Sequence, residues 1–140
     1  MNAPAFPRFI KIDAGGLMRH ANTTEWVAVH DTLSCLMWTV EVLPRQTFQS
    51  ARERVAKLTT AGFTDWRLPT VEELFCLADR TRSDPAIDTG FFPNTPSGWF
   101  WSGTVDASSP SDCAWYVNFG NGSSYWYHQN SEGFVRAVRS

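Results

Sequence analysis

Apolar residues recur at helical spacing twice along the chain, both times before residue 80. Between Thr47 and Thr60 they fall at Phe48, Ala51, Val55 and Leu58, a single stripe of 3.6-residue period, while Arg52, Glu53, Arg54 and Lys57 take the polar side. The spacing predicts a helix over 47–60, with Gly62 as its C-terminal stop. The second helix, predicted over 70–78, opens with Thr70-Val71-Glu72-Glu73. This is a capping box: the threonine oxygen accepts a backbone N–H of the first turn, and the glutamate reaches back to the threonine N–H. Leu74, Leu77 and Ala78 face inward, and the two glutamates suit the positive end of the helix dipole.

Elsewhere the pattern is that of short strands. Phe9–Ile12 and Gly16–Met18 form a hairpin around Asp13-Ala14-Gly15, and Trp26–His30 and Leu36–Val40 read as further strands. Arg80 to Gly98 is a Pro-, Asp-, Thr- and Ser-rich connection, too long to be a plain link, so it is expected to carry function or to cover a core face. Trp99–Ser102, Ala114–Phe119, Ser123–His128 and Phe134–Val138 follow as strands, with Asn121-Gly122 as a hairpin turn. Helices early and strands late make an α+β fold.

A length of 140 residues fits one domain spanning 1–140, and 43% hydrophobic with 19% charged residues is a globular balance. The net charge of −2 excludes binding to nucleic acid by phosphate neutralisation. The longest apolar runs are a few residues, Leu36-Met37-Trp38 being typical, so no membrane insertion is expected. Met1 to Arg8 has neither a basic nor an apolar leader region, so no signal peptide is visible. That leaves localisation open between the cytoplasm and export by another route. Cys35, Cys76 and Cys113 have no metal-ligand spacing, and buried free thiols are the expectation for all three.

Particular residues carry a family likeness. Gly62-Phe63-Thr64-Asp65-Trp66-Arg67-Leu68-Pro69-Thr70, continuing through Glu73-Leu74, resembles the signature of the Lcl C-terminal domain family, a bacterial family named for the C-terminal domain of a collagen-like adhesin. Leu36-Met37-Trp38, Ile87-Asp88 with Phe91-Phe92-Pro93, and Phe100-Trp101-Ser102-Gly103-Thr104 resemble further family motifs in the same order. Ala114-Trp115-Tyr116-Val117-Asn118-Phe119 and the closing Val135-Arg136-Ala137-Val138-Arg139 complete the likeness. Cys35 stands where the family usually has glycine, and Ala137 where it often has cysteine. The resemblance implies a C-type-lectin-like fold with two helices flanking small antiparallel sheets, long loops, paired N- and C-terminal strands, and ligands met by the late loops and strands. It also implies a distant relation to formylglycine-generating enzymes.

Several constellations have a plain explanation. Arg67 is expected to be a structural guanidinium bonded to carbonyls, Asp65 or Glu73, with Trp66 and Leu68 in the core. Glu72 and Glu73, adjacent on a helix, point about 100° apart and cannot flank one glycosidic bond. His20, His30 and His128 lack metal spacing; Asp84, Asp88, Asp106 and Asp112 lie in loops but form no calcium-binding motif. No cofactor is expected.

One segment resists such explanation. Gly120 to Ser131 interleaves Tyr125, Trp126 and Tyr127 with Ser, Asn and Gly, the vocabulary of a paratope: rigid amphipathic rings for area, small polar residues for adaptable hydrogen bonds. Alternation puts Ser124, Trp126 and His128 on one face of a strand and Tyr125, Tyr127 and Gln129 on the other, so at least one aromatic set should be exposed. The expected ligand-binding residues are therefore Tyr125, Tyr127, His128, Gln129 and Asn130, with Trp101 and Trp115 as core counterparts. A non-catalytic domain binding a protein or carbohydrate ligand is the first expectation. Its rivals are an enzyme of formylglycine-generating type and a structural head domain of a surface or phage fibre, in which the chain would be a homo-oligomer. The named adhesin's domain binds sulfated polysaccharides, but 12 Lys plus Arg against 14 Asp plus Glu give no basic excess for a polyanion.

Overall fold

The computed structural model describes residues 7–140, so most of the N-terminal stretch read for a leader lies outside the described residues. Among the described residues ten strands form two five-stranded sheets, accompanied by two α-helices, an α+β arrangement. The first sheet runs in the order β10-β4-β3-β1-β2, from β1 (Phe9–Ile12), β2 (Met18–Arg19), β3 (Ala28–Asp31), β4 (Leu36–Thr39) and β10 (Val138–Arg139). The second runs β5-β9-β6-β7-β8, from β5 (Leu43–Gln46), β6 (Trp99–Val105), β7 (Cys113–Asn118), β8 (Ser123–His128) and β9 (Gly133–Val135). Neighbours pair antiparallel except β6 with β9, which are parallel. Among the described residues no helix is long and apolar enough to cross a membrane.

Helix α1 (Phe48–Ala56) buries Phe48, Ala51 and Val55, the expected stripe, and Thr47 caps it. It ends earlier than predicted. The chain turns at Lys57, and Gly62 closes a separate 3-10 turn (Thr60–Gly62), so the glycine stops that turn and not α1. Helix α2 (Val71–Leu77) carries the full capping box: Glu73 N–H donates to Thr70 Oγ1 at 3.1 Å and Thr70 N–H to Glu73 Oε1 at 2.8 Å.

The predicted last strand, Phe134–Val138, is two strands in two sheets. β9 lies beside β5 and β6, and β10 beside β4. Between them Arg136 and Ala137 are buried. The N- and C-terminal strands thus share a sheet without pairing, since β3 and β4 separate β1 from β10. Arg136, 1% exposed, places its guanidinium 4.8 Å from the centre of the Phe92 ring and donates to the Val40 carbonyl at 3.1 Å and to Thr95 Oγ1 at 3.2 Å. Its Nε and Nη1 have no hydrogen-bond partner among the described residues, so attraction to the aromatic faces offsets part of their desolvation. Burial draws its pKa down to about 9, which still leaves it charged at neutral pH.

The two strongest sequence motifs clasp each other. Arg67 and Val138 exchange backbone hydrogen bonds of 2.9 and 3.0 Å, while Arg139 holds Asp65 through two contacts of 2.6 and 3.0 Å. Arg67 grips Glu73 with both terminal nitrogens, at 2.8 and 2.9 Å. Trp66 is buried and Leu68 half-buried. The long segment after α2 contributes Ala86, Ile87 and Phe92 to the core, so it covers a core face as one of the two expectations held.

The thiols depart from expectation: Cys113 is buried, but Cys35 and Cys76 are exposed. Cys35 closes the β3–β4 turn at φ +62°, with its N–H donating to the Asp31 carbonyl. A side chain there is strained. Cys35→Gly should raise stability by about 0.5–1 kcal/mol and Cys35→Val should lower it, read from urea midpoints.

Acid should unfold the domain through its bonded carboxylates. The Arg67 guanidinium holds Glu73 below the usual carboxylate range against the opposing effect of burial. Burial pushes Asp31 up, but the hydrogen bonds from Arg8 and from the Leu33 amide outweigh it, so Asp31 also titrates low. Both groups bind fewer protons folded than unfolded. Their contribution is therefore complete above the ordinary values of 4.5 and 3.8 and is lost as pH falls through the folded ones. Urea midpoints should hold steady down to about pH 5 and then fall, and Glu73→Gln should flatten that decline. An unchanged slope in the variant would contradict the assignment.

Candidate functional site

Strand β8 is the outermost strand of the second sheet and pairs with β7 in a hairpin running from Asn118 opposite Ser123 to Cys113 opposite His128. The connection holds four residues, Phe119 to Gly122, with Gly122 at φ +84°. Pleating sends Tyr125 and Tyr127 to one face and Trp126 to the other. Both faces are open here: Tyr125 is 58% exposed, Trp126 51% and Tyr127 50%. The reason is geometric, because α1 packs on β6, and α2 lies mainly over β6 and β7, leaving the edge strand largely uncovered.

On the tyrosine face the rings form a graded series from core to solvent. Phe48 meets Trp101 edge-on at 5.6 Å, Trp101 meets Trp99 at 4.9 Å, and Tyr127 stacks on Trp99 at 5.6 Å and 30°. Tyr116 fills the middle, 4.9 Å from Trp99 and 6.5 and 6.4 Å from Tyr125 and Tyr127. Burial, then the neighbouring Tyr125 and Tyr127, raises the Tyr116 hydroxyl above the usual phenol range. Gly133 lets the Trp99 ring lie this close, since a Cβ there would stand 2.5 Å from it. The exposed tyrosines thus rest on rings that are themselves held by the core.

On the other face Trp126 meets Trp115 at 5.3 Å, and Trp115 is only half-buried. Trp101 is fully buried, so of the two expected core tryptophans only Trp101 is one.

The remaining expected residues gather at the far end of β8. His128, Gln129 and Asn130 line an open cavity of 410 Å³ together with Gln49, Ser111 and Asp112. Gln129 acts there as a strut. Its side-chain amide donates to the carbonyls of Pro110 (3.0 Å) and Cys113 (3.2 Å), its backbone N–H to Asp112, and its carbonyl accepts from Phe48 N–H. The five expected residues therefore divide into a tyrosine platform, a groove with His128 and Asn130, and one scaffold residue between them. Trp99 and Tyr116 were not foreseen. Fixing the turn at Phe119 to Gly122 would have set Tyr116 opposite Tyr125 and revealed part of the platform.

Cys113 Sγ, buried, lies 3.9 Å from Nδ1 of the exposed His128. Among the described residues no three His, Cys, Asp or Glu side chains are grouped to hold a metal ion. A larger open cavity of 600 Å³ lies beside the first hairpin, where Trp26 is flanked by Asp13, Glu25 and Pro93. Lys11 covers the Trp26 ring at 3.7 Å.

Residues 27–139 match the family described as the Lcl C-terminal domain. The chain belongs to the Lcl C-terminal domain family. The match covers about four-fifths of the chain, from just before β3 through β10, and so includes the clasp, both helices and the aromatic hairpin. The first hairpin, β1–β2, precedes it. No curated protein matches the chain.

Proposed function

We propose that this Lcl C-terminal domain is a non-catalytic ligand-binding module of C-type-lectin-like fold, and that Tyr125, Tyr127 and the adjoining groove with His128 and Asn130 receive a protein or a neutral glycan. The observation that carries the reading is the run of three large aromatic side chains, each at least half exposed, on one edge strand. Rings held from behind lose little rotamer freedom on binding, and their faces suit apolar sugar faces or a protein's side chains. No lysine or arginine lines the groove, and Asp112 does, which favours a neutral ligand over a sulfated polysaccharide. In support of a non-catalytic role, the Cys113 thiol that touches His128 is buried, whereas a nucleophile must reach its substrate.

The test pairs Tyr125→Ala and Tyr127→Ala with Trp101→Ala on a glycan array and against proteins from the native host, with melting curves alongside. Each tyrosine variant should weaken ligand capture by about 2 kcal/mol or more while losing less stability than the core variant. Trp101→Ala should cost roughly 3–5 kcal/mol of stability. Tyrosine variants that bind as well as the wild type would contradict the proposal.

A further inference from the structure

The two sheets have four outer strands among the described residues, and three carry a feature that discourages strand addition. β2 is two residues long and includes Arg19; β10 is two residues long and includes Arg139; β5 contains Pro44 and Arg45 and has an irregular register. β8 has none of these. Its six residues, Ser-Ser-Tyr-Trp-Tyr-His, include no proline and no lysine, arginine, aspartate or glutamate, and they pair with β7 without a register shift.

The register also fixes which backbone groups face outward. Gln129 N–H donates to the carbonyl of Asp112, the residue that continues the β7–β8 register opposite it, so odd-numbered residues of β8 direct their backbone groups to β7. Ser124, Trp126 and His128 therefore present theirs on the open edge. His128 O also accepts from Ser131 N–H, which leaves its N–H as the outward group at that end.

We propose that this edge pairs with the same edge of a second copy, antiparallel, with Trp126 opposite Trp126 of the other copy. Symmetry restricts the choice. Only registers whose opposed residue numbers sum to an even value keep the tyrosine faces together; those centred on Tyr125 and on Trp126 each make four backbone bonds with the outward groups, and the one centred on Trp126 is favoured because it alone sets each of the three large rings opposite another. Trp126 N–H donates to the facing Trp126 carbonyl, His128 N–H donates to the facing Ser124 carbonyl, and both bonds are repeated by the two-fold axis. Tyr125 then stands opposite Tyr127 on one face, and Trp126 opposite Trp126 on the other, so each of the three large rings meets another, while His128 faces Ser124. No like charges oppose each other. The occupant fits because the strand is complementary to itself in hydrogen bonding, ring placement and charge. The resulting ten-stranded sheet would place two tyrosine platforms side by side. The pairing uses the strand's edge and the binding reading uses its faces, so each can fail alone.

Light scattering behind a sizing column, from about 1 µM to about 1 mM, should show the mass rising from one chain to two. Trp126→Pro removes an outward N–H while leaving the β7 ladder intact, and Ser124→Lys places a charge on the edge while keeping every ring. Each should weaken dimerisation at least about tenfold with the melting temperature little changed. Tyr125→Ala should leave the four backbone bonds in place and still dimerise. A wild-type chain that stays monomeric at the highest concentration would overturn the proposal, as it would if an extended peptide of another protein occupied the edge instead. A dimer that persists unweakened in Ser124→Lys would also overturn it.

Discussion

Residues 133–139 belong to both sheets at once, and the placement of nearly every other element follows from how they are held. β9 sits between β5 and β6, β10 lies against β4, and the Arg136-Ala137 step between them is buried. Ala137 seals the crossing: its N–H donates to Thr39 Oγ1 at 3.1 Å and its carbonyl accepts from Thr39 N–H at 3.0 Å. Val138 then meets Arg67, Arg139 meets Asp65, and Arg67 reaches Glu73 at the start of α2. This segment is thereby bonded to both sheets and, through Arg67, to a helix cap. The motifs at Asp65–Arg67 and Val135–Arg139, far apart in sequence, are two halves of one structural device.

That device frees the edge strand from core duty. The sides of β6 carry opposite assignments: Phe100 belongs to the core formed with Trp38, Leu74 and Phe92, while Trp101 belongs to the core formed with Phe48, Val55 and Trp66. With both cores closed on β6 and β7, β8 contributes three large rings that neither core requires. Aromatic area left in water is costly to keep unless something covers it part of the time. A binding role and an edge-to-edge pairing both supply such cover, one through the rings and one through the backbone.

Much of this was legible in the chain. The capping box at Thr70 and Glu73 and the apolar stripe of α1 are local signals, and they gave the helices because each rests on contacts within a few residues. β8 was bounded correctly by its alternation and by the turn before it. What escaped depends on contacts distant in sequence. Phe134–Val138 reads as one strand because nothing local shows that Arg136 crosses between sheets, and β5, with Pro44 and Arg45 in four residues, lacks strand character until β9 pairs with it. Cys35 and Cys76 look like buried thiols by residue type, but one occupies a left-handed turn and the other the outer side of α2. In the site, Tyr125 and Tyr127 were visible as exposed rings, whereas their backing by Trp99 and Tyr116 needed the pairing of three strands.

If the closing segment binds the two sheets into a single cooperative unit, amide hydrogen exchange measured residue by residue tests it most directly. The amides of Thr39, Ala137 and Val138 in the first sheet and its crossing, and of Val117 and Phe119 in or beside the second, should exchange only through global unfolding and report one common free energy. In dilute solution the outward amides of Ser124 and Trp126 should exchange far faster than those of Tyr125 and Tyr127, which face β7. Two separate free energies, one for each sheet, would contradict the account.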